Sequence, residues 1–437
     1  MLPDVRALPS RPAVPRRIVN SLNVYDLLSV GGRTVLRVAL LTYRGNPRSG
    51  GQGVYVRHLS RALVRLGHHV EVLSGPPYPE LEPGVALTQL PSLDLYRPEE
   101  PFRPARSPRG AIDLLELGTM CVGGFPEPLT FSLRAWAELR RRRAEFDVVH
   151  DNQCLAYGLL GIRRSGLPVV ATIHHPVQVD RRIELAQATG GRRLSLRRWY
   201  GFTRMQARVA RRLPLLTVSV AARDEIAREM GVPADRIAVV PNGVDADLFR
   251  PLPDRARTAG RIVATASADV PLKGLDPLLR AFAILRTRLP AELVVVGRPR
   301  PDGPIPRLLD ELQLNGSVRF VSGVADTELV SLYAGAEAAV VPSLYEGFSL
   351  PAVEAMACGL PLVATTAGAL PEVVGDAALL VPPGDHGALA DQLTVLLGDS
   401  GLRRGLGERG RARVLERFTW EAAARATAER YREAMGC

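Results

Sequence analysis

Lysine is almost missing from this sequence of 437 residues: of its 56 basic residues 55 are arginine, and Lys273 stands alone. A bias toward GC-rich codons accounts for the general replacement, not for the survivor. An ammonium is a compact point charge and a guanidinium a wide planar fork, so the two differ where geometry is tight. Lys273 falls in Pro271-Leu-Lys273-Gly274, beside a predicted strand end, which makes it a candidate binding-site charge. The alternative is a lone lysine left there by chance.

Cysteine is scarce too. Cys121, Cys154, Cys358 and Cys437 have no metal-ligand spacing, which points to no metal site and suits a reducing compartment. No apolar run approaches the about 20 residues of a membrane span. The first 34 residues hold arginines and prolines without the apolar core of a secretory signal; they read as a disordered leader, or as a start placed too far upstream. The expected protein is soluble and cytoplasmic. Its formal net charge of +11 raises the question of an anionic partner, but no recognition motif for nucleic acid accompanies the charge.

What is present is an alternation of β-prone runs and helical spacing, too long for one domain and natural for two. Val35 to Thr42 reads as a buried strand, and Val56 to Leu66 carries apolar residues at helical spacing. Between them lies a glycine-rich turn with Gly50, Gly51 and Gly53, a βαβ opening that lacks the G-x-G-x-x-G of a dinucleotide fingerprint. Glycine pairs let backbone approach a diphosphate or a sugar closely; a purely structural turn is the other reading. Residues 76 to 110 are proline-rich and irregular, an excursion at the cleft edge; Ser132 to Glu145 reads as a helix, followed by a strand at Phe146-Asp-Val-Val-His150-Asp151-Asn152. Leu167 to Ile173 is a strand ending in His174-His175-Pro176, and a histidine at the C-terminal end of a parallel strand faces the ligand crevice.

Arg192 to Arg212 reads as one helix with a basic face. It is either a peripheral contact with an anionic membrane or phosphorylated acceptor, or a solvated helix in an arginine-biased chain. Leu293 to Gly297-Arg298 and Val318 to Gly323-Val324 are strands ending in glycine. Finally, Ala338 to Val341 is a strand, Glu346-Gly347-Phe348-Ser349-Leu350-Pro351 a turn with a helix start, and Ala352 to Cys358 a helix. Free N–H groups at that helix start favour a phosphate. Glu354, about two helical turns beyond Glu346, suits a ribose diol, while Glu346 sits nearer the reacting groups. Two solvated acids on a surface turn is the alternative.

That E-x7-E turn, running into Glu354-Ala-Met-Ala-Cys-Gly-Leu-Pro-Leu-Val-Ala, resembles the retaining glycosyltransferases of family 4, group 1. The family is typified by sucrose-phosphate synthase and bacterial mannosyltransferases. The resemblance covers about residue 35 to the C-terminus and is strongest from 262 to 385. It implies an α/β protein of GT-B architecture, with two Rossmann-like domains facing across a cleft: residues 35–247 with a returning helix at 419–437, and residues 248–418. It further implies that Gly50 and Gly51 face the donor phosphates, that His174 contacts the transferred sugar, and that the ends at Gly297 and Val324 face the base. Lys273 would clamp the diphosphate, and Gly347, Phe348, Ser349 and Leu350 would complete the donor site. Where the family has Gly-Arg six residues before this lysine, the chain has Ala266-Ser267. One cation of the clamp is therefore missing at its usual place, and Arg298 is the candidate to replace it. Asp245-Ala-Asp247 matches the interdomain linker and is taken as no metal site.

The expected activity is metal-independent, retaining transfer from a nucleoside-diphosphate sugar, with uridine the preferred base from family frequency, to a glycan, lipid or small-molecule hydroxyl. No separate cofactor is implied. A nucleotide-sugar epimerase of the same fold and a degenerate, non-catalytic sugar-nucleotide binder are the alternatives. A pyridoxal-phosphate phosphorylase would need a lysine outside the diphosphate motif.

Overall fold

Seven parallel strands form the first sheet of the described residues: β1 (Arg37–Thr42), β2 (His69–Ser74), β3 (Ala86–Gln89), β4 (Val148–Asn152), β5 (Val169–Ile173), β6 (Leu215–Thr217) and β7 (Ile237–Val239). Their spatial order is β3-β2-β1-β4-β5-β6-β7. Six more form a second parallel sheet in the order β10-β9-β8-β11-β12-β13: β8 (Arg261–Thr265), β9 (Glu292–Val296), β10 (Val318–Val321), β11 (Ala338–Val341), β12 (Leu362–Thr365) and β13 (Ala378–Val381). The computed structural model describes residues 35–46, 51–96, 107–266 and 270–436, so the expected leader at 1–34 lies outside it, with Gly50 and Ser267.

Helices cover both sheets. In the first half these are α1 (Gly51–Arg65), α2 (Ala111–Cys121), α3 (Glu127–Arg141), α4 (Tyr157–Arg164), α5 (Val177–Gln187), α6 (Gly190–Trp199), α7 (Phe202–Ala210) and α8 (Val220–Met230). In the second they are α9 (Leu275–Arg288), α10 (Pro304–Glu311), α11 (Asp326–Ala334), α12 (Leu350–Ala357), α13 (Leu370–Val374), α14 (His386–Gly398), α15 (Ser400–Arg417) and α16 (Trp420–Met435). The architecture is therefore two parallel-sheet, Rossmann-like domains. Strand order reverses between β1 and β4 in one sheet and between β8 and β11 in the other. Ligands of such sheets bind outside the strand ends at those reversals. The chain after β1, β4, β8 and β11 is where a site has to be sought.

Both faces of the central strands are covered, so β1 and β4 are buried almost throughout, although β4 ends in the polar run His150-Asp151-Asn152. α16 belongs by packing to the first sheet. Its Trp420, Ala424, Ala428 and Tyr431 share one buried cluster with Leu36, Val38, Leu59 and Val148. The crossing is tight at Gly243, where a Cβ would come within 2.3 Å of the Trp420 backbone nitrogen, so only glycine fits. Thr419 starts the helix by accepting a bond from the Ala422 N–H at 3.2 Å.

Three sequence expectations change. The irregular stretch 76–110 contains a strand, β3, whose four residues are mostly exposed at the sheet edge and carry no apolar alternation. The basic helix expected from Arg192 to Arg212 is two helices, α6 and α7, parted at Tyr200-Gly201. The helix expected from Ser132 begins at Glu127, because Pro128 in its first turn loses no helical hydrogen bond.

Candidate active site

A cavity of about 490 Å³ opens between the ends of the two sheets, and its walls come from both halves of the chain. The first half contributes Gln52 and Tyr55 of α1, Gln153 after β4, and His174 and His175 after β5. The second contributes Lys273, the turn Tyr345 to Ser349 and the start of α12 at Leu350. Lys273 is the one lysine or arginine among these lining residues.

Lys273 is presented by a short turn closed by Gly274 in the left-handed region, φ 68°. A Cβ on Gly274 would lie 2.0 Å from the carbonyl oxygen of Pro342, so the turn is held against the chain leaving β11. This brings the Lys273 Nζ to 2.8 Å from Glu346 Oε1, an oxygen that also accepts from the Ser343 hydroxyl at 2.8 Å. Glu346 is buried, while Lys273, which lines the cavity, is about a third exposed. Ser349 caps α12 with φ 79°, and its buried Oγ has no hydrogen-bond partner among the described residues. A buried hydroxyl without a partner is costly, and one at a helix start beside a cation invites an anionic ligand.

Across the cavity, the Asn152 amide donates to the Gln52 carbonyl at 3.2 Å, which turns its Oδ1 toward His174 Nε2 at 2.8 Å. His174 Nε2 therefore carries the proton. Burial holds the imidazole down at about 4, so at neutral pH it is uncharged and Nδ1 remains an acceptor. Gln153, in the left-handed region at φ 60°, clamps the same turn. Its Oε1 accepts from the His174 N–H at 2.7 Å and its Nε2 donates to the His175 carbonyl at 2.8 Å. His175 bonds Asp180 at 3.1 Å and lies edge-on to Tyr345 from the opposite wall.

The two walls also touch directly. The Ser219 hydroxyl donates to the Gly347 carbonyl at 2.6 Å, and the Glu372 carboxylate accepts from the Val220 and Ala221 N–H groups at the start of α8, each at 2.9 Å. Bonds to a charged group contribute about 1.5–3 kcal/mol each, so these contacts hold the cavity at this width.

Residues 49–248 match the family Glycosyltransferase Family 4, and residues 254–413 match Glycosyl transferases group 1. The MMP alpha-(1->4)-mannosyltransferase of Mycolicibacterium hassiacum is 54% identical over 412 residues, 92% of this chain and 98% of that one. This chain is a family 4, group 1 glycosyltransferase. A D-inositol 3-phosphate glycosyltransferase of Xylanimonas cellulosilytica is 33% identical over 435 residues, covering 91% of this chain and 97% of the relative. Among solved structures, sucrose-phosphate synthase from Thermosynechococcus elongatus superposes with a TM-score of 0.69 at 26% identity, covering 92% of this glycosyltransferase and 99% of that chain.

Of the residues read from sequence as the glycosyltransferase's site, His174, Lys273, Glu346, Gly347, Phe348, Ser349 and Leu350 line one cavity. Gly51 starts α1; Gly50 and Ser267 lie outside the described residues. Glu354 lies one turn further along α12, 3.4 Å from the Tyr333 hydroxyl, which also meets Thr265 at the end of β8. Gly297 and Arg298 follow β9, and Val324 lies beyond β10; neither segment is among the cavity's lining residues, and Arg298 is exposed. Sequence reasoning missed Asn152, Gln153 and Gly368. The first two directly follow the noted His150-Asp151, and a polar run at a strand end was the available signal. Gly368 packs against the Glu346 backbone from 22 residues away and left none.

Proposed function

We propose that this glycosyltransferase is a retaining mannosyltransferase that builds an α-(1→4) linkage from a nucleoside-diphosphate mannose. The observation that carries the sugar and linkage is the near full-length likeness to the α-(1→4)-mannosyltransferase at 54% identity. The transfer chemistry rests on Lys273 and the α12 start facing a neutral His174 across the cavity. Negative charge grows on the leaving diphosphate, where the ammonium and helix N–H groups oppose it. Positive charge grows on the sugar ring as in an oxocarbenium-like transition state. His174 Nδ1 accepts from a sugar hydroxyl without adding positive charge beside that ring. The acceptor hydroxyl enters on the face the diphosphate leaves, and a phosphate oxygen takes its proton. Since Lys273 and α12 supply the neutralising charge, the reaction proceeds without a resident metal ion and is expected to survive a chelator.

The test is a thermal-shift panel of UDP-, GDP- and ADP-linked mannose and glucose. A donor that binds only the folded chain raises the melting temperature by mass action. One mannose nucleotide is expected to stand out. A larger shift with glucose nucleotides would sink the sugar assignment, and a β-linked product from an α-linked donor would sink retention.

Glu354 is assigned to the donor ribose, and its protonation makes that assignment testable. Burial, then Asp326, pushes its carboxyl up to about 7. The folded chain thus holds a proton that the unfolded chain releases. The resulting stability is full below the ordinary carboxylate range and is lost as pH rises through about 7. A ribose diol donates best to the ionised form, so sugar-nucleotide affinity should rise roughly tenfold from pH 6 to pH 8. Glu354→Gln should flatten the curve; an unchanged slope in that variant removes Glu354 from the donor site.

We also propose that α6 rests on anionic lipid. No α6 residue is buried, and among the described residues Arg192, Arg193, Arg197 and Arg198 have no ion-pair partner. Leu194 of α6 is more than half exposed, as is Val122, which lines an apolar cavity with Phe125, Phe202 and Arg198 of α6. Apolar anchors beside unpaired arginines suit a charged bilayer surface. The chain should sediment with phosphatidylglycerol vesicles at low salt and be released at about 0.5 M salt. Equal sedimentation with neutral phosphatidylcholine, or none with either, counts against it.

A further inference from the structure

The side chains beneath His174 form a buried relay that runs to α16. Along β4, His150 and Asn152 share one face of the strand; Thr172 of β5 pairs with Asn152 in register, and His174 follows just after the end of β5. The outer pair, Asn152 and His174, is bonded at the cavity wall. The pair below it is also bonded: His150 Nε2 and Thr172 Oγ1 are 2.7 Å apart. The other nitrogen of His150 is 2.6 Å from the Tyr431 hydroxyl of α16. The Thr172 hydroxyl meets the Tyr55 hydroxyl of α1 at 3.2 Å. The Tyr55 ring then packs edge-on against His174, with centroids 4.5 Å apart.

His150, Thr172 and Tyr431 are at most 2% exposed and Tyr55 only 6%. Burial holds His150 down at about 3, so its ring carries a single proton. It therefore donates at one end and accepts at the other, and the bonds have one direction along the relay. Buried, fully satisfied polar chains of this kind hold their members in one arrangement. An apolar contact would fill the same space without fixing the ring of Tyr55. The apolar residues α16 already buries against the first sheet leave this hydroxyl unnecessary for docking alone.

We infer that Tyr431, His150 and Thr172 are positioning residues, through which α16 sets the Tyr55 ring and thereby the imidazole of His174 in the cavity. The inference rests on the reading of His174 as the sugar-facing group. Tyr431→Phe removes one hydroxyl and keeps the ring. The test uses the full chain labelled with 15N-histidine, with the His174 signals assigned by their loss in His174→Gln. It also uses hydrolysis of UDP- and GDP-mannose as the rate readout.

Tyr431→Phe should move the His174 ring resonances and lower kcat by about tenfold with KM nearly unchanged, the scale expected when a reacting geometry loosens. In a His174→Ala background the same substitution should cost less than about twofold, because a shared route is not counted twice. Thr172→Val should behave as Tyr431→Phe does, and Thr172→Ser, which keeps the hydroxyl, should behave as the natural chain. A lowered melting temperature with unmoved His174 signals would assign the relay to stability alone and overturn the inference. So would equal losses in the two backgrounds. If no mannose nucleotide stabilises the chain in the thermal-shift panel, the proposed function fails, while the resonance measurement still decides the relay.

Discussion

Replacing Lys273 with alanine should abolish sugar-nucleotide binding and turnover together. The cavity has no second lysine or arginine among its lining residues, and removing a preorganised charge from the place where negative charge develops costs on the order of 10²–10³ in rate. The thermal shift seen with the best donor should disappear. The donor-free variant should melt below the natural chain, since the buried Glu346 carboxylate loses its cation and keeps the Ser343 hydroxyl as its hydrogen-bond partner. Lys273→Arg is the sharper case. It restores the charge as a broad fork at the end of a turn that Gly274 holds against Pro342, so binding should return in part and kcat should not. A retained donor shift in Lys273→Ala would move the diphosphate elsewhere in the molecule.

Gly368→Ala should be nearly as damaging, because the three atoms nearest a Cβ there all belong to the Glu346 backbone. Its φ is 56°, and a Cβ there would lie 2.1 Å from the Glu346 carbonyl oxygen. That oxygen also accepts from the Ala369 N–H at 2.9 Å, so the turn bearing Glu346 must shift. A displacement near 1 Å at a reacting centre costs about 100-fold, and kcat/KM should fall by that order. Gly316→Ala supplies the control. Gly316 has φ 83° and nothing within 4 Å of a new Cβ, so it bears the left-handed cost of about 1–2 kcal/mol without the collision. Both variants should melt lower; only Gly368→Ala should lose activity. Equal activity in the two would mean that Glu346 does not need its present position.

How much of this was readable beforehand follows the range of the interactions. The strand at Ala338–Val341 and the helix starting at Leu350 are local: an apolar β-prone run, a glycine-bearing turn and helix formers closed by Gly359 and Pro361. The sheets' central strands were legible for the same reason. β3 was not, because an edge strand of four mostly exposed residues depends on its neighbour rather than on its own pattern. α2 escaped likewise: Leu114, Leu115 and Leu117 face outward, so its apolar residues do not mark a core-facing stripe. Within the site, Lys273, Glu346 and His174 stood out by residue type and position. Gln153 and Gly368 act through backbone groups of segments distant in sequence, and no short window contains both partners.

The docking of α16 on the first sheet has a consequence for how the protein is made. The strands of that sheet lie between Arg37 and Val239, yet the cluster that covers one face includes Trp420, Ala424, Ala428 and Tyr431. A ribosome adding about 5–20 residues per second needs roughly 20 to 80 s to travel from Leu36 to Tyr431. Throughout that interval Leu36, Val38, Leu59 and Val148 lack their α16 cover, and an uncovered apolar face is what chaperones bind and what aggregates. The nascent chain therefore waits for α16 with Lys273, Glu346 and α12 already translated and the histidine wall still unsupported.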